Sequence, residues 1–228
     1  MQIIRNIPGV LPEPCVATIG FFDGVHMGHR FLIEQVRELA AARGLRSALI
    51  TFPIHPRKVM NADYRPELLT TSEEKLALLE ETGVDYCFML DFTREVSHLT
   101  AHEFMSDILR DRYRVQTLVI GYDHRVGHNR SDCVCDDLHI SSSVIRKMLH
   151  QGEVDRAARC LGYDYFLDGT VVSGYQVGRK IGFPTANLSV DDPDKLVPAD
   201  GVYAVHVTFD GHTYNGMLNI GTRPTIGN

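Results

Sequence analysis

Apolar runs and stretches of helical periodicity alternate over the first 150 residues of the chain. Residues 15–22 and 47–52 are apolar almost throughout, as expected of buried strands. Between them, residues 31–43 carry apolar positions on one helical face, and Gly44 follows as a stop signal. A strand, a helix and a strand at this spacing predict a parallel crossover unit.

Two further helices and two further strands are predicted in the same half of the chain. The helices cover residues 75–82 and 104–112, and the strands cover residues 86–90 and 117–121. Each helix is preceded by a capping box, formed by Thr71 with Glu74 and by Thr100 with Glu103. Strands that are apolar throughout are typical of a parallel sheet covered by helices on both faces. We therefore predict a doubly wound α/β domain.

The pattern changes after Gly162. Helical periodicity disappears, and three stretches favour strands, at residues 165–173, 202–209 and 213–220. Asp210 and Gly211 lie between the last two as a hairpin signal. The sequence thus predicts two domains, residues 1–162 and a partial antiparallel β-barrel over residues 163–228.

Composition limits the choice of partners. The 228 residues carry a formal charge of -6, which disfavours a nucleic acid as partner. No apolar run approaches the ~20 residues that cross a bilayer, and the first residues lack a secretion signal. We expect a cytoplasmic protein that acts on small molecules, with no membrane partner and with an oligomeric state that the sequence leaves open.

Cysteines offer one alternative chemistry. The five cysteines are scattered and odd in number, which argues against a disulfide framework. Cys133 and Cys135 lie beside His128 and His139, as metal ligands could. Because no second cysteine pair accompanies them, loop thiols without a metal are the favoured interpretation.

The strongest chemical signal is residues 20–29 (GFFDGVHMGH), which run from the first strand into the first helix. The start of a helix offers unpaired N–H groups and partial positive charge, which suit a phosphate. His26 and His29 can donate to phosphate oxygens as charge builds in a transition state, and Gly28 permits close approach. We assign the other nucleotide contacts to Gly20, Phe22 and Asp23. The alternative is a pair of helix-capping histidines without a ligand.

A second anion site is predicted at residues 140–146 (ISSSVIR), again at the start of a helix. The hydroxyls of Ser142 and Ser143, the helix N–H groups and the guanidinium of Arg146 can together bind an anion. Alone, this segment is typical of an ordinary helix cap. Combined with the two histidines, it would bind the far end of the same triphosphate.

These motifs, with Gly121 to Asp123 ending the intervening strand, resemble the H-x-G-H nucleotidyltransferase superfamily. Residues 51–56 (TFPIHP) and 178–187 (GRKIGFPTAN) narrow the match. Both are similar to the bacterial bifunctional riboflavin kinase/FMN adenylyltransferase (FAD synthetase) family. The other matching segments are residues 162–165, 169–172, 201–204 and 219–225.

The resemblance implies two reactions that use ATP and Mg²⁺. In the first, the phosphate of FMN attacks the α-phosphorus of ATP, so His26 and His29 would contact the α/β phosphates and Ser142 and Arg146 the β/γ end. Asp123 would contact metal or nucleotide. In the second, riboflavin is phosphorylated, and the family's P-T-A-N segment would place Mg²⁺ and ATP phosphates at Thr185 and Asn187.

A flavin site is predicted beyond the second strand. Phe52, His55 and Pro56 follow its carboxyl end, and open parallel sheets bind ligands outside that edge. The isoalloxazine ring of FMN could rest there. A loop without any ligand contact is the alternative for His55 and Pro56.

The sequence departs from the family at two places. Residues 122–139 are too few for the further crossover and strand that the family carries, so we expect residues to be missing between Arg130 and His139. The sequence also stops at Asn228, before the family's catalytic glutamate. A polypeptide that ends there is expected to make FAD from FMN but not to phosphorylate riboflavin.

Two other functions remain open from the sequence. The protein could be an H-x-G-H transferase for another phosphate, such as nicotinamide mononucleotide or phosphopantetheine, although the P-T-A-N segment counts against this. It could also be a flavin- or nucleotide-binding module without turnover.

Overall fold

The structure is a computed structural model that describes residues 1–5, 13–121, 134–135, 138–173, 182 and 185–221. The chain divides into two compact units, Met1–Ser142 and Ser143–Asn228. The predicted boundary at residue 162 lies within the second unit, and the division into residues 1–162 and 163–228 stays a prediction.

The first unit is built from parallel strands with helices between them. Its elements are β1 (Gln2–Arg5), β2 (Cys15–Ile19), a 3-10 turn (Asp23–Val25), α1 (Met27–Arg43), β3 (Arg46–Thr51), α2 (Pro56–Met60), α3 (Ser72–Glu80), β4 (Tyr86–Met89), α4 (Arg94–His98), α5 (Ala101–Glu103), a π-helical segment (Phe104–Arg112), β5 (Val115–Val119), β6 (Val134–Cys135) and β7 (Leu138–His139). The helix α6 (Ser142–His150) starts at the last residue of this unit.

Five strands form one sheet in the order β1-β4-β3-β2-β5, and every neighbouring pair is parallel. The chain moves outward from β2 through β3 to β4 and then returns to the other side of β2 for β5. This reversal makes the carboxyl end of β2 the switch point where open sheets bind ligands. The predicted doubly wound α/β fold is confirmed. The edge strand β1 was not predicted, because its four residues are mostly exposed and lack an apolar run.

The predicted helices begin where side chains cap them. Both capping boxes are present, so α3 and α5 start after Thr71 and Thr100. The α1 helix begins at Met27, four residues before the periodicity predicted, because the His26 side chain caps it. The predicted helix at residues 104–112 is π-helical.

Apolar side chains from the strands fill the space beneath the helices. The main cluster includes Ala17, Ile50, Phe88 and Tyr113, and the rings of the last two stack with centroids 4.9 Å apart. Strand residues that are buried on both sides explain the continuous apolar runs of the sequence. The core therefore fixes the strand ends from which the site loops emerge.

Helices and antiparallel strands form the second unit, which contains most of α6, α7 (Val154–Leu161), β8 (Gly169–Val172), β9 (Asn187–Val190), β10 (Gly201–Phe209) and β11 (His212–Ile220). β8 pairs with β9 and β10 with β11, both antiparallel. Asp210 and Gly211 have φ of 50° and 74°, so the predicted hairpin is confirmed.

The strand predicted for residues 165–173 is shorter in the structure and covers only Gly169–Val172. The Tyr165 hydroxyl donates a hydrogen bond to the Leu196 carbonyl over 2.7 Å, and the Lys195 ammonium lies 4.8 Å from the Tyr165 ring centroid. Tyr165 thus packs against a loop and does not extend the strand.

The stretch before α6 contains a short antiparallel pair, β6 with β7, among its described residues. Residues 122–133 and 136–137 lie outside the described part of the chain. The expectation of missing residues between Arg130 and His139, and the predicted role of Asp123, fall on this stretch and stay predictions.

Candidate active site

The loop that leaves β2 at the switch point has unusual backbone geometry. Within residues 20–26, which we call the 20–26 loop, Phe22, Gly24 and Val25 have φ of 55°, 78° and 36°. Only glycine adopts this left-handed region without strain, and a branched residue such as Val25 is a true outlier. Strain of this kind costs about 1–3 kcal/mol per residue and is found preferentially at functional sites.

Residues 69–70 hold this loop in place. The Asp23 carboxylate accepts hydrogen bonds from the N–H groups of Leu69 and Thr70, at 2.9 and 3.0 Å, and from the Thr70 hydroxyl. The same hydroxyl accepts the Gly24 N–H over 3.0 Å. Asp23 is only 3% exposed. We predicted a nucleotide contact for Asp23, and the structure places its carboxylate beneath the loop as an anchor.

We expect an Asp23→Asn variant to lose about 1–3 kcal/mol of unfolding free energy. The amide has nearly the same shape, but its NH₂ group would face N–H donors where the carboxylate accepts. Urea unfolding of the wild type and the variant measures the difference. The exposed Asp63, which follows α2, supplies the control: Asp63→Asn should unfold like the wild type, and equal stability of both variants would contradict the anchoring role.

Ser142 also contacts the loop. Its hydroxyl donates a hydrogen bond to the Asp23 carbonyl over 2.9 Å, across 119 residues of sequence. This hydroxyl was predicted to contact the triphosphate, and in the structure it braces the loop. Ser143 is exposed and Arg146 half-buried in the first turns of α6.

The two histidines lie together at the start of α1. His26 is 5% exposed, and its ring stacks on that of His29 with centroids 3.6 Å apart. The His26 Nδ1 accepts the His29 N–H over 3.3 Å, so the proton of the neutral His26 ring is on Nε2. Nε2 is then the His26 atom that can donate to a phosphate. The ring of Phe22 packs edge-on against His29 at 5.2 Å.

Both glycines that we assigned to the nucleotide lie at positions where backbone approach matters. A Cβ at Gly20 would lie 3.2 Å from the Phe22 ring, so the residue keeps that ring in place. Gly28 is the second residue of α1, where N–H groups have no partner within the helix. The structure therefore places His26, Gly28 and His29 at one helix start, and Gly20 at the strand end that precedes it.

The predicted flavin residues lie at the end of β3, in residues 52–56, which we call the 52–56 segment. His55 caps α2, because its Nδ1 accepts the Arg57 N–H over 3.1 Å, and Pro56 is the first residue of that helix. The ring of Phe52 is largely buried in the core and meets Phe92 edge-on at 5.8 Å. The half-buried His55 is thus the more accessible ring of this segment.

Aromatic neighbours of His55 were not predicted. Phe21 lies 4.6 Å and Tyr64 5.3 Å from the His55 ring, centroid to centroid. Phe21 belongs to the 20–26 loop, so the two predicted ligand sites share this contact. The two phenylalanines that follow β2, Phe21 and Phe22, could have indicated an aromatic contact near His55, whereas nothing in the sequence marked Tyr64.

Lys75 is a candidate functional residue that was not predicted from the sequence. It lies on α3, is 2% exposed, and its ammonium donates to the carbonyl of Phe21 over 3.2 Å and to that of Phe52 over 2.8 Å. Burial lowers the pKa of this ammonium to about 8, whereas Asp23 and Cys87 act in the opposite direction. A lysine in the first turns of a predicted helix carries no sequence signal of burial.

This lowered pKa predicts a stability change with pH. Between about 8 and the unfolded value near 10.5, the unfolded chain binds more protons at Lys75, so the stability of the fold rises with pH. Relative to Lys75→Met, the wild type should gain about 2–3 kcal/mol of unfolding free energy from pH 7 to pH 10. Urea unfolding at both pH values measures this gain, and an unchanged difference would contradict the buried charge.

Thr185 and Asn187 lie in the second unit. Both are exposed, and Asn187 is the first residue of β9, opposite Val172. Their hydroxyl and amide oxygens are donors of the kind that Mg²⁺ accepts. Within the described ranges, no three His, Cys, Asp or Glu side chains are grouped as a metal site.

The parallel sheet, with a braced, strained loop at its switch point and two stacked histidines at a helix start, fits the nucleotidyltransferase class that the motifs predicted. Comparison with known families supports this class and narrows it. The FAD synthetase family model matches residues 10–147, and the riboflavin kinase family model matches residues 161–228.

Curated relatives extend the match over nearly the whole chain. The bifunctional riboflavin kinase/FMN adenylyltransferase of Escherichia coli K12 is 37% identical, over 99% of this chain and 80% of the relative. The enzyme of the same name from Listeria monocytogenes is 36% identical, over 92% of this chain and 73% of the relative. The chain belongs to the bifunctional riboflavin kinase/FMN adenylyltransferase family. It is an enzyme with that family's two activities, adenylyl transfer from ATP to FMN and phosphorylation of riboflavin. The expectation that a polypeptide ending at Asn228 makes FAD but does not phosphorylate riboflavin stays a prediction.

The alignment with the Escherichia coli enzyme spans 251 positions, more than the 228 residues of this chain. The relative therefore has residues at positions where this chain has none. Residues absent from this chain were predicted between Arg130 and His139, and that position stays a prediction.

A solved structure shares the fold. A protein from Streptococcus pneumoniae, described as a macrolide-efflux protein, is 28% identical and superposes with a TM-score of 0.87, over 99% of this chain and 81% of its own. That description differs from the enzyme names of the curated relatives, and the family assignment rests on the relatives. No helix in the described ranges is long and apolar enough to cross a membrane, and the cytoplasmic location stays a prediction.

Proposed function

We propose that the first unit carries out adenylyl transfer by direct, in-line attack of the FMN phosphate on the α-phosphorus of ATP, with pyrophosphate as the leaving group. The observation that carries this proposal is the pair of stacked histidines at the start of α1, beside the strained 20–26 loop. Positioning and charge neutralisation account for most catalysis of this kind.

His26 and His29 donate hydrogen bonds to the α/β phosphates. Both rings lie at the helix start, where the backbone N–H groups also favour negative charge. As the α-phosphorus gains a fifth oxygen neighbour, charge builds on its oxygens and strengthens these contacts. Gly28 leaves space for the phosphates, and Gly20, Phe22 and Asp23 fix the loop that precedes them.

The start of α6 binds the β/γ end of the triphosphate. Ser143 and Arg146 supply a hydroxyl and a charged fork, and Ser142 secures the adjoining loop. Asp123, beyond β5, contacts the metal or the nucleotide.

Mg²⁺ would be bound together with ATP. It keeps several waters and is usually held by substrate phosphates with one or two protein oxygens, so a site of three side chains is not required. When bound, it neutralises triphosphate charge. In the riboflavin kinase module, Thr185 and Asn187 would provide oxygens for Mg²⁺, and the Thr185 hydroxyl and the Asn187 NH₂ group would donate hydrogen bonds to the phosphates of ATP.

FMN binds at the 52–56 segment with its ring beside His55 and Pro56. Phe21 of the 20–26 loop packs on His55 and extends this aromatic surface. Phe52 supports it from the core. The flavin phosphate then lies on the side of the histidines.

Incubation of the protein with ATP, Mg²⁺ and one acceptor at a time tests this proposal. FAD and pyrophosphate should form from FMN, whereas nicotinamide mononucleotide and phosphopantetheine should give no adenylylated product. A product from either of these acceptors, and none from FMN, would assign the site to a different phosphate. Binding of FMN and ATP without any product would indicate a module without turnover.

A further inference from the structure

We infer that Lys75 is a positioning residue for adenylyl transfer, which holds the 20–26 loop and the 52–56 segment in register with each other. This inference rests on the proposed function of the site. Lys75 acts through the backbone of the two segments, from which both sets of proposed ligand residues emerge.

The contacts show why the two segments depend on it. The ladder between β2 and β3 ends where the Gly20 N–H donates to the Ile50 carbonyl over 3.0 Å. Beyond that point, the carbonyls of Phe21 and Phe52 both accept hydrogen bonds from Lys75. A single ammonium therefore continues the connection between the neighbouring segments after the regular ladder has stopped.

Further contacts converge on the same point. The Lys75 ammonium lies 4.1 Å from the centroid of the Phe21 ring, which also meets the ring of His55. The Thr51 hydroxyl also donates to the Phe21 carbonyl, over 3.1 Å. Phe21 of the 20–26 loop is thus held both at its carbonyl and at its ring, next to the 52–56 segment.

A role in packing alone does not account for a lysine here. A charged group removed from water is costly, and an apolar side chain of similar length would fill the space at lower cost. What the ammonium adds is donors for two carbonyls on different segments. A shift of roughly 1 Å between reacting groups can lower a rate by about 10²-fold, so register between the two substrates is where such donors matter.

Steady-state kinetics of Lys75→Met test the inference. Methionine keeps the length and apolar stem and removes the donors. We expect kcat for FAD formation to fall by roughly 10- to 100-fold, while KM for ATP and for FMN each change by less than about threefold. Each substrate still binds to its own segment, so KM changes little, but the reacting groups of ATP and FMN are no longer aligned and kcat falls.

The control places the same side chain elsewhere on the helix. Ala77 is exposed on α3, so Ala77→Met should leave kcat and both KM values as in the wild type. If Lys75→Met keeps kcat within about twofold, or raises a KM at unchanged kcat, the positioning role is wrong. Because an unfolded fraction would also lower the apparent kcat without changing KM, kcat is calculated per folded protein, with the folded fraction measured by circular dichroism.

Thr51→Val provides a second route if Lys75→Met does not fold. It removes the other donor to the Phe21 carbonyl and suits a strand. It should lower kcat by roughly 3- to 10-fold with the same KM pattern, and an unchanged kcat would overturn the inference.

If the wild type forms no FAD from FMN, the proposed function itself fails. If the wild type forms FAD and the variants match it, only the role of Lys75 fails.

Discussion

Replacement of His29 by alanine is expected to lower kcat for FAD formation by about 10²- to 10³-fold, because one donor to the developing phosphate charge is lost. His29 lies in the first turn of α1, stacked on His26 and packed against Phe22. The hydrogen bond that caps α1 uses the His29 backbone N–H, which alanine keeps, so the fold should persist. FAD formation at saturating ATP and FMN, together with the circular dichroism spectrum, measures both parts.

His98→Ala is the matched control. His98 is an exposed histidine on α4, in the same unit, and is not among the predicted site residues. We expect it to match the wild type in kcat. If a well-folded His29→Ala variant has the kcat of the wild type, His29 does not contact the transition state. Its ring would then only support Phe22.

Replacement of Arg146 by alanine is expected to raise KM for ATP by roughly 10- to 100-fold, since a hydrogen bond to a charged group contributes about 1.5–3 kcal/mol. Turnover should fall as well, because the leaving pyrophosphate develops charge at that end. Arg146→Lys should recover only part of the loss, being a point charge without the planar fork.

The neighbouring Lys147 separates a specific contact from the charge of the helix. Lys147 is exposed on α6, so Lys147→Ala removes the same unit of charge one residue away. It should leave KM for ATP nearly unchanged. An Arg146→Ala variant with the ATP dependence of the wild type would rule out the triphosphate contact.

Long apolar runs and capping boxes were enough to predict most of the first unit. β2, β3 and β4 are buried on both faces, so their composition differs clearly from that of helices and loops. The short strand β1 was missed because its four residues are mostly exposed and carry no apolar run, although they pair with β4. Its partner, and not its own sequence, determines it.

The candidate site was predicted unevenly for a related reason. Motif residues such as His26 and His29 lie at a strand end followed by a helix, and that position is visible in the sequence. Lys75 and Thr70 contribute through contacts with residues about 50 positions away, which no local pattern records. Asp23 and Ser142 were predicted as nucleotide contacts, which stays a prediction, and the sequence could not show that each binds backbone.

The hydrogen bonds between Asp23 and residues 69–70 join parts of the chain 46 and 47 positions apart. Contacts at such separation form late, because the intervening chain must be closed before they are gained. The unit of β2, α1 and β3 can pair without them. We therefore expect a refolding protein to pair β2 with β3 around α1 before it forms the strained turn at Val25, and to recover adenylyl transfer only in a phase later than the first recovery of its circular dichroism.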